Sequence, residues 1–338
     1  MIFDIPDLTA ESALKLNDSL HALAPFDKMT LDFSNMTNFD PFAMLLAGSV
    51  IRSYRMEYPD VPFCLHGHEN KSYAGVMGFF KYISPNINFG KMPGESLGSS
   101  NYIPITPIHV DKLYQTEIEK PNQMLVIGEL IEKEASRLSQ IVDRGENNEL
   151  HYLLTFLIRE IIRNTSEHAK CSTVWICGQF WPSFQIAEIA LLDQGIGIYN
   201  SITKNSFYKK YIIDDKAALE WTVKAGISEC FNPLLKQKNN DEWANSGFGL
   251  YMVSNICKKL EGCFNLVSGK NFIKINNEET FIGETQFNGT AIRIRISTQG
   301  IYNAQSIISQ VSKQGIEEAK NLKHAFRMPS RPSKELMI

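Results

Sequence analysis

Apolar positions recur at helical spacing over residues 8–23, and the short apolar run 29–33 reads as a strand. Asp40-Pro41 then opens a helix to about residue 58, with Asp as N-cap and Pro at the first helical position. A second strand over 61–65 and a second helix over 71–83 follow. This order favours a small α/β layer. Prolines and glycines punctuate residues 85–107, which read as a connecting region with an edge strand near 102–105.

Residues 121–144 place Leu125, Ile127, Leu130, Ile131, Leu138 and Ile141 among charged positions. That pattern predicts an amphipathic helix packed on its own domain in preference to a dimer seam. A second domain starts near Glu146 with a strongly apolar helix over 150–168. Strands over 173–180 and 184–192 flank a turn at Trp181-Pro182-Ser183. Helices are expected over 217–225 and 247–260, the latter stopped by Gly262. Further strands are expected over 263–267, 272–275 and 291–296, and the tail from Tyr302 carries one weak helix. The resulting division is 1–110, a linking helix over 111–145, 146–300, and a tail over 301–338.

The 338 residues suffice for about two domains. With 34 basic against 37 acidic residues, no electrostatic footprint for nucleic acid or anionic membrane is evident. The N-terminus lacks the pattern of a signal peptide, and the longest apolar stretch, near 43–51, is too short to span a bilayer. The six cysteines form no Cys-x-x-Cys pair, and they read as reduced thiols in a cytoplasmic protein. His66-Gly67-His68 does not complete a metal site and reads as a loop after a strand.

Four segments carry candidate chemistry. On the 150–168 helix, Glu160, Asn164 and His168 share a face by four-residue spacing. The Asn164 carbonyl suits a hard Mg²⁺ ion, and Glu160 can polarise a water; an ordinary solvent-facing stripe is the alternative. Asp193-Gln194-Gly195-Ile196-Gly197 follows an apolar strand directly. A carboxylate there can accept from an exocyclic amine, and the glycines permit a sharp turn against a flat ring. Asn245-Ser246-Gly247-Phe248-Gly249-Leu250 precedes a helix, where exposed backbone N–H groups attract phosphate. Phe287-Asn288-Gly289-Thr290 opens the last strand with a hydroxyl able to donate beside a base.

Taken in this order, the four segments resemble the ATP-binding module shared by gyrase B subunits, the large heat-shock chaperone, histidine kinases, MutL and anti-sigma-factor kinases. The resemblance covers about 146–296. It implies a Bergerat-type α/β sandwich, a mixed, mainly antiparallel sheet covered by helices on one face. It gives Glu160 the general-base position and Asn164 the Mg²⁺-ligand position. Asp193 takes the adenine-reading position, with Gly195 and Gly197 in the adjoining turn. Gly247, Phe248, Gly249 and Leu250 take the phosphate loop, and Thr290 lies beside the base. The interval between Gly197 and Gly247, which includes Lys204, Lys209, Lys210 and the polar run 236–242, corresponds to a lid over ATP. Asn245 stands where many members have a further glycine.

The N-terminal part resembles a STAS domain through Leu31-Asp32-Phe33-Ser34 and Phe39-Asp40-Pro41, without the usual serine near the start of the following helix. The resemblance implies an α/β regulatory protein binding ATP or ADP with Mg²⁺. Hydrolysis would drive lid closure and switching of a protein partner or homodimer. Two alternatives stand beside this reading: a serine/threonine kinase of the anti-sigma-factor type, and a non-hydrolysing ATP/ADP sensor. No phospho-acceptor helix precedes the module, and His151 lacks that setting.

Overall fold

The computed structural model describes residues 1–21, 27–99, 101–110, 124–143, 148–168, 171–229 and 246–322, with isolated positions beyond. Side chains are described except at 21, 124–129, 141–143 and 166–168. The chain is an α/β protein with two sheets.

Near the N-terminus, β1 (Ile2–Asp4), β2 (Met29–Asp32) and β3 (Phe63–His66) form a wholly parallel sheet in that order. Helices α1 (Ala10–His21) and α2 (Pro41–Glu57) make the crossovers. β1 escaped the pattern analysis because it is only three residues long and Pro6 follows it closely. The helix expected over 71–83 is two short ones, α3 (Ser72–Val76) and α4 (Phe79–Ile83). Gly78 separates them at φ +85, a left-handed turn that breaks the hydrogen-bond ladder.

The second sheet has the order β4-β5-β6-β8-β7. Its strands are β4 (Tyr102–His109), β5 (Thr173–Trp181), β6 (Ile186–Asp193), β7 (Cys263–Asn276) and β8 (Thr280–Ser297). Every neighbouring pair is antiparallel, where a mixed sheet was expected. Short connections at 182–185 and 277–279 impose that pairing. The edge strand anticipated near 102–105 runs on to His109. The separate strands expected at 263–267 and 272–275 are one strand, β7, with an irregularity at Gly269. Phe287-Asn288-Gly289-Thr290 lies within β8 and does not open it.

One face of this sheet carries α5 (Met124–Asp143), α6 (Asn148–His168), α10 (Gly249–Lys259) and α11 (Ala304–Lys320). Short helices α7 (Gly197–Ile202), α8 (Ser206–Lys209) and α9 (Asp215–Thr222) lie at its margin. The tail helix is a full element: Ile308, Val311 and Ala319 are buried, and Tyr251 Oη donates to Glu318 at 3.0 Å. At the end of α10 it is Glu261, at φ +52, that turns left-handed, with Gly262 after it. A Cβ on Gly262 would lie 2.0 Å from the Arg295 carbonyl oxygen, so glycine is required there for close approach.

The other face is covered too, contrary to the one-sided sandwich. Strand alternation explains this. Ile189 and Leu191 of β6 enter the core under α6 and α10, whereas Ala190 and Leu192 enter a rear core with α1, α2 and α4. Ile105, Val267, Phe287 and Ala291 join that rear core. Burial on both faces makes β6 apolar from Ile186 to Leu192 apart from Glu188. Glu188 is buried and ion-paired with Arg293 at 2.8 Å and Arg295 at 3.2 Å, and it accepts from the Phe42 N–H at 3.2 Å. It thus serves the N-terminus of α2 from across the interface. Asp40, at the N-cap position, makes no side-chain cap and instead lies 3.7 Å from Arg293. Burial pushes its carboxyl pKa up. No helix among the described residues is long and apolar enough to cross a membrane.

Candidate functional site

A pocket opens between α6, the end of β6, α7, α9, residues 227–229 and the start of α10. Asn164, Asp193, Gly197, Gly247, Gly249, Leu250 and Thr290 all line it. Residues 126 positions apart along the chain, from Asn164 to Thr290, therefore share one cavity.

Asp193 ends β6 in register with Thr290 of β8. Its carboxylate is 2 % exposed and accepts from the Gly195 N–H at 2.8 Å. Burial pushes its pKa up to about 7, and donors at Gly195 and Thr290 pull it partly back. Gly195 thus acts by holding the carboxylate and does not line the pocket. Gly197 starts α7 at φ +75. Ser268 ties this end together: its hydroxyl accepts from the Ile198 N–H at 3.0 Å and donates to the Gly289 carbonyl at 2.7 Å. The only sequence signal for Ser268 is a polar residue within an apolar strand.

At the opposite end, Gly247 sits at φ +70, and a Cβ there would lie 2.2 Å from the Ile227 carbonyl oxygen. Gly249 packs on α6 so closely that a Cβ would lie 2.6 Å from Asn164 Nδ2 and 3.0 Å from Glu160 Oε2. Phe248, between these glycines, points the other way into the core beside Tyr251 and Gly315. It does not line the pocket. As N-cap of α10 it supplies no side-chain acceptor. The Asn164 amide nitrogen is buried without a hydrogen-bond partner among the described residues.

Glu160 also stands outside the lining residues. It lies fully buried behind Gly249, with Oε1 3.2 Å from Arg159 and Oε2 3.0 Å from Arg163. Arg159 bridges on to Glu132 of α5 at 3.0 Å. This buried ion chain was not foreseen, because no local pattern connects residues 27 positions apart. Ser201, Thr222, Ser228 and Glu229 are further lining residues that sequence reasoning missed. Glu229 accepts from Ser201 Oγ at 2.9 Å and lies 3.6 Å from Lys204 Nζ.

His168, Cys230, Asn245 and the polar run 236–242 lie at positions whose side chains or whole residues are outside those described. His151 is on α6, its ring nitrogens 3.1 Å from Ser136 Oγ and 2.8 Å from Ser139 Oγ. Among the described residues no group of three or more His, Cys, Asp or Glu could hold a metal ion; of the His66-Gly67-His68 segment read as a loop, His66 is the last residue of β3. Of the described cysteines Cys177 and Cys257 are buried and Cys64 is exposed. Comparison with protein-family models, with curated proteins and with solved structures returned no match.

Proposed function

We propose that this pocket binds an adenine nucleotide with Mg²⁺ and that the protein is an ATP-binding regulator of the gyrase, chaperone, histidine-kinase and MutL type. The observation that carries the reading is the convergence of Asp193 and Asn164 on one cavity, with Gly247 and Gly249 between α10 and its neighbours. A buried carboxylate held by neutral donors suits the exocyclic amine of adenine. The uncapped start of α10 suits the phosphates. Asn164 lines the pocket, and its carboxamide oxygen is the kind of hard donor that suits a Mg²⁺ ion. A bound Mg²⁺ would neutralise phosphate charge there.

The STAS-like reading of the N-terminal unit draws support from the parallel β1-β2-β3 sheet and the helix opened at Asp40-Pro41. The Bergerat-type reading draws support from the antiparallel sheet with α6 and α10 on one face.

Within this reading Glu160 acts as general base once its carboxylate leaves Arg159 or Arg163. Hydrolysis is then slow and tied to movement of α6 against α5 or α10. The same double pairing of Glu160 favours a second reading, an ATP/ADP sensor without turnover. Calorimetry with ATP, with and without Mg²⁺, followed by product analysis, separates the two. The enzyme reading predicts Mg²⁺-dependent binding and phosphate release that Glu160→Ala abolishes while binding persists. Equal release by both proteins rejects Glu160 as the base, and stoichiometric binding without release selects the sensor.

A further inference from the structure

The turn after Asp193 and the bulged stretch of β8 before Thr290 are tied from behind by the N-terminal helices. Asn17 of α1 is 0 % exposed. Its Nδ2 donates to Thr285 Oγ1 at 2.9 Å and to the Gln286 carbonyl at 2.6 Å, across some 270 residues of sequence. Thr285 Oγ1 in turn donates to Asp18 Oδ1 at 2.9 Å. The tether ends just before a weak point in β8. There the register against β7 shifts, and Gly289 adopts φ +124, placing its Cβ position 2.1 Å from the Asp193 carbonyl oxygen. Thr290 itself is in register with Asp193 and Ser268, but bulged strands bend and lose ladder bonds, so the stretch leading into it is held by the tether at 285–286.

The turn after Asp193 has its own tether. Gln194, which follows Asp193, donates from Nε2 to Ser53 Oγ of α2 at 3.1 Å. Helix α2 is itself seated on the sheet through Phe42 N–H to Glu188, and through Cys177 Sγ–H to the Pro41 carbonyl. Phe287 is buried in the rear core that α1 and α2 also enter.

We propose that Asn17 and Ser53 are positioning residues for the Asp193–Thr290 pair, so that the N-terminal helices set base selectivity from the rear of the sheet. This rests on the nucleotide reading of the pocket. They touch no ligand; they fix the turn at Gln194 and the stretch of β8 before Thr290. A partner that draws α1 or α2 off the sheet lowers affinity for the base and spares the phosphate end.

The test compares wild type with Asn17→Leu, which keeps a similar volume and removes the donor. Binding of ATP and of inorganic tripolyphosphate is measured by calorimetry, and amide exchange is followed by mass spectrometry. The expected result is ATP affinity about tenfold weaker with tripolyphosphate affinity within about twofold. Unchanged ATP affinity overturns the proposal. So does an equal loss for both ligands, which marks general loosening. If wild type binds neither ligand, the nucleotide reading fails and the exchange data decide this inference alone. Faster exchange confined to residues 193–197 and 285–290 supports it, and unchanged exchange there overturns it. Should Asn17→Leu fail to fold, Ser53→Ala carries the same readouts, with an ATP loss of about threefold expected.

Discussion

One buried carboxylate, Asp193, lines the pocket and a second, Glu160, lies behind its Gly249 wall, and the two are held in opposite ways. Among the described residues Asp193 has only neutral donors around it, and burial raises its pKa to about 7. Glu160 is gripped by two guanidinium groups, one of which reaches on to Glu132. A buried carboxylate without a cation is poised for a ligand's donor; a doubly paired one is fixed and must be released before it can act. In the proposed nucleotide reading, this difference assigns recognition to Asp193 and control to Glu160.

The strongest way to break the comparison is Arg159→Met. It removes the buried Arg159–Glu132 pair and one of the guanidinium groups that meet Glu160. Loss of one member of a buried pair typically costs about 3–5 kcal/mol. Chemical denaturation should show a drop of that order. A change below about 1 kcal/mol would mean the chain of charges is not holding α5 to α6.

Next in size is Gly247→Ala. Its Cβ would meet the Ile227 carbonyl at 2.2 Å, in a left-handed backbone that alanine resists. Nucleotide affinity should fall about a hundredfold, roughly 2.7 kcal/mol, with a smaller change in melting temperature. Equal affinity would place the phosphates away from the start of α10.

The smallest effect sharpens the Asp193 half. Its folded pKa of about 7 lies above the ordinary value of 3.8, so the native state holds a proton that the unfolded chain has released. Stability of the free protein therefore falls as pH rises from about 4 to about 7 and levels off above. Binding of an adenine amine needs the ionised form. Affinity for ATP should thus rise about tenfold between pH 6 and pH 8. Asp193→Asn should flatten both curves relative to wild type. Parallel curves for the two proteins would show that Asp193 does not titrate in this range.

Much of the sheet and the polar ends of the pocket were legible because they are written locally. The apolar run of β6 ending in Asp193, the apolar face of α6 and the glycines near α10 all follow from spacing. Phe248 was grouped with the phosphate loop on sequence adjacency. The chain direction instead turns its ring into the core, while the flanking glycines face the pocket. The rear cover of the sheet was not legible. Ala190 and Leu192 announce a second apolar face but not which helices meet it. Polar partners far apart in sequence, such as Asn17 with Gln286 or Glu132 with Arg159, leave no periodic trace. The Gly78 break and the continuity of β7 through Gly269 depend on backbone angles that neighbouring packing selects.

The central claim is that Asp193 reads an adenine base, and base selectivity tests it most directly. GTP presents a carbonyl oxygen where ATP presents its amine, so a carboxylate facing that position discriminates sharply. Calorimetry at pH 8 with Mg²⁺ should find wild type binding ATP at least about tenfold more tightly than GTP, and Asp193→Ala reducing that preference to within about twofold. No heat with ATP, or equal affinities for the two nucleotides in wild type, would contradict the account.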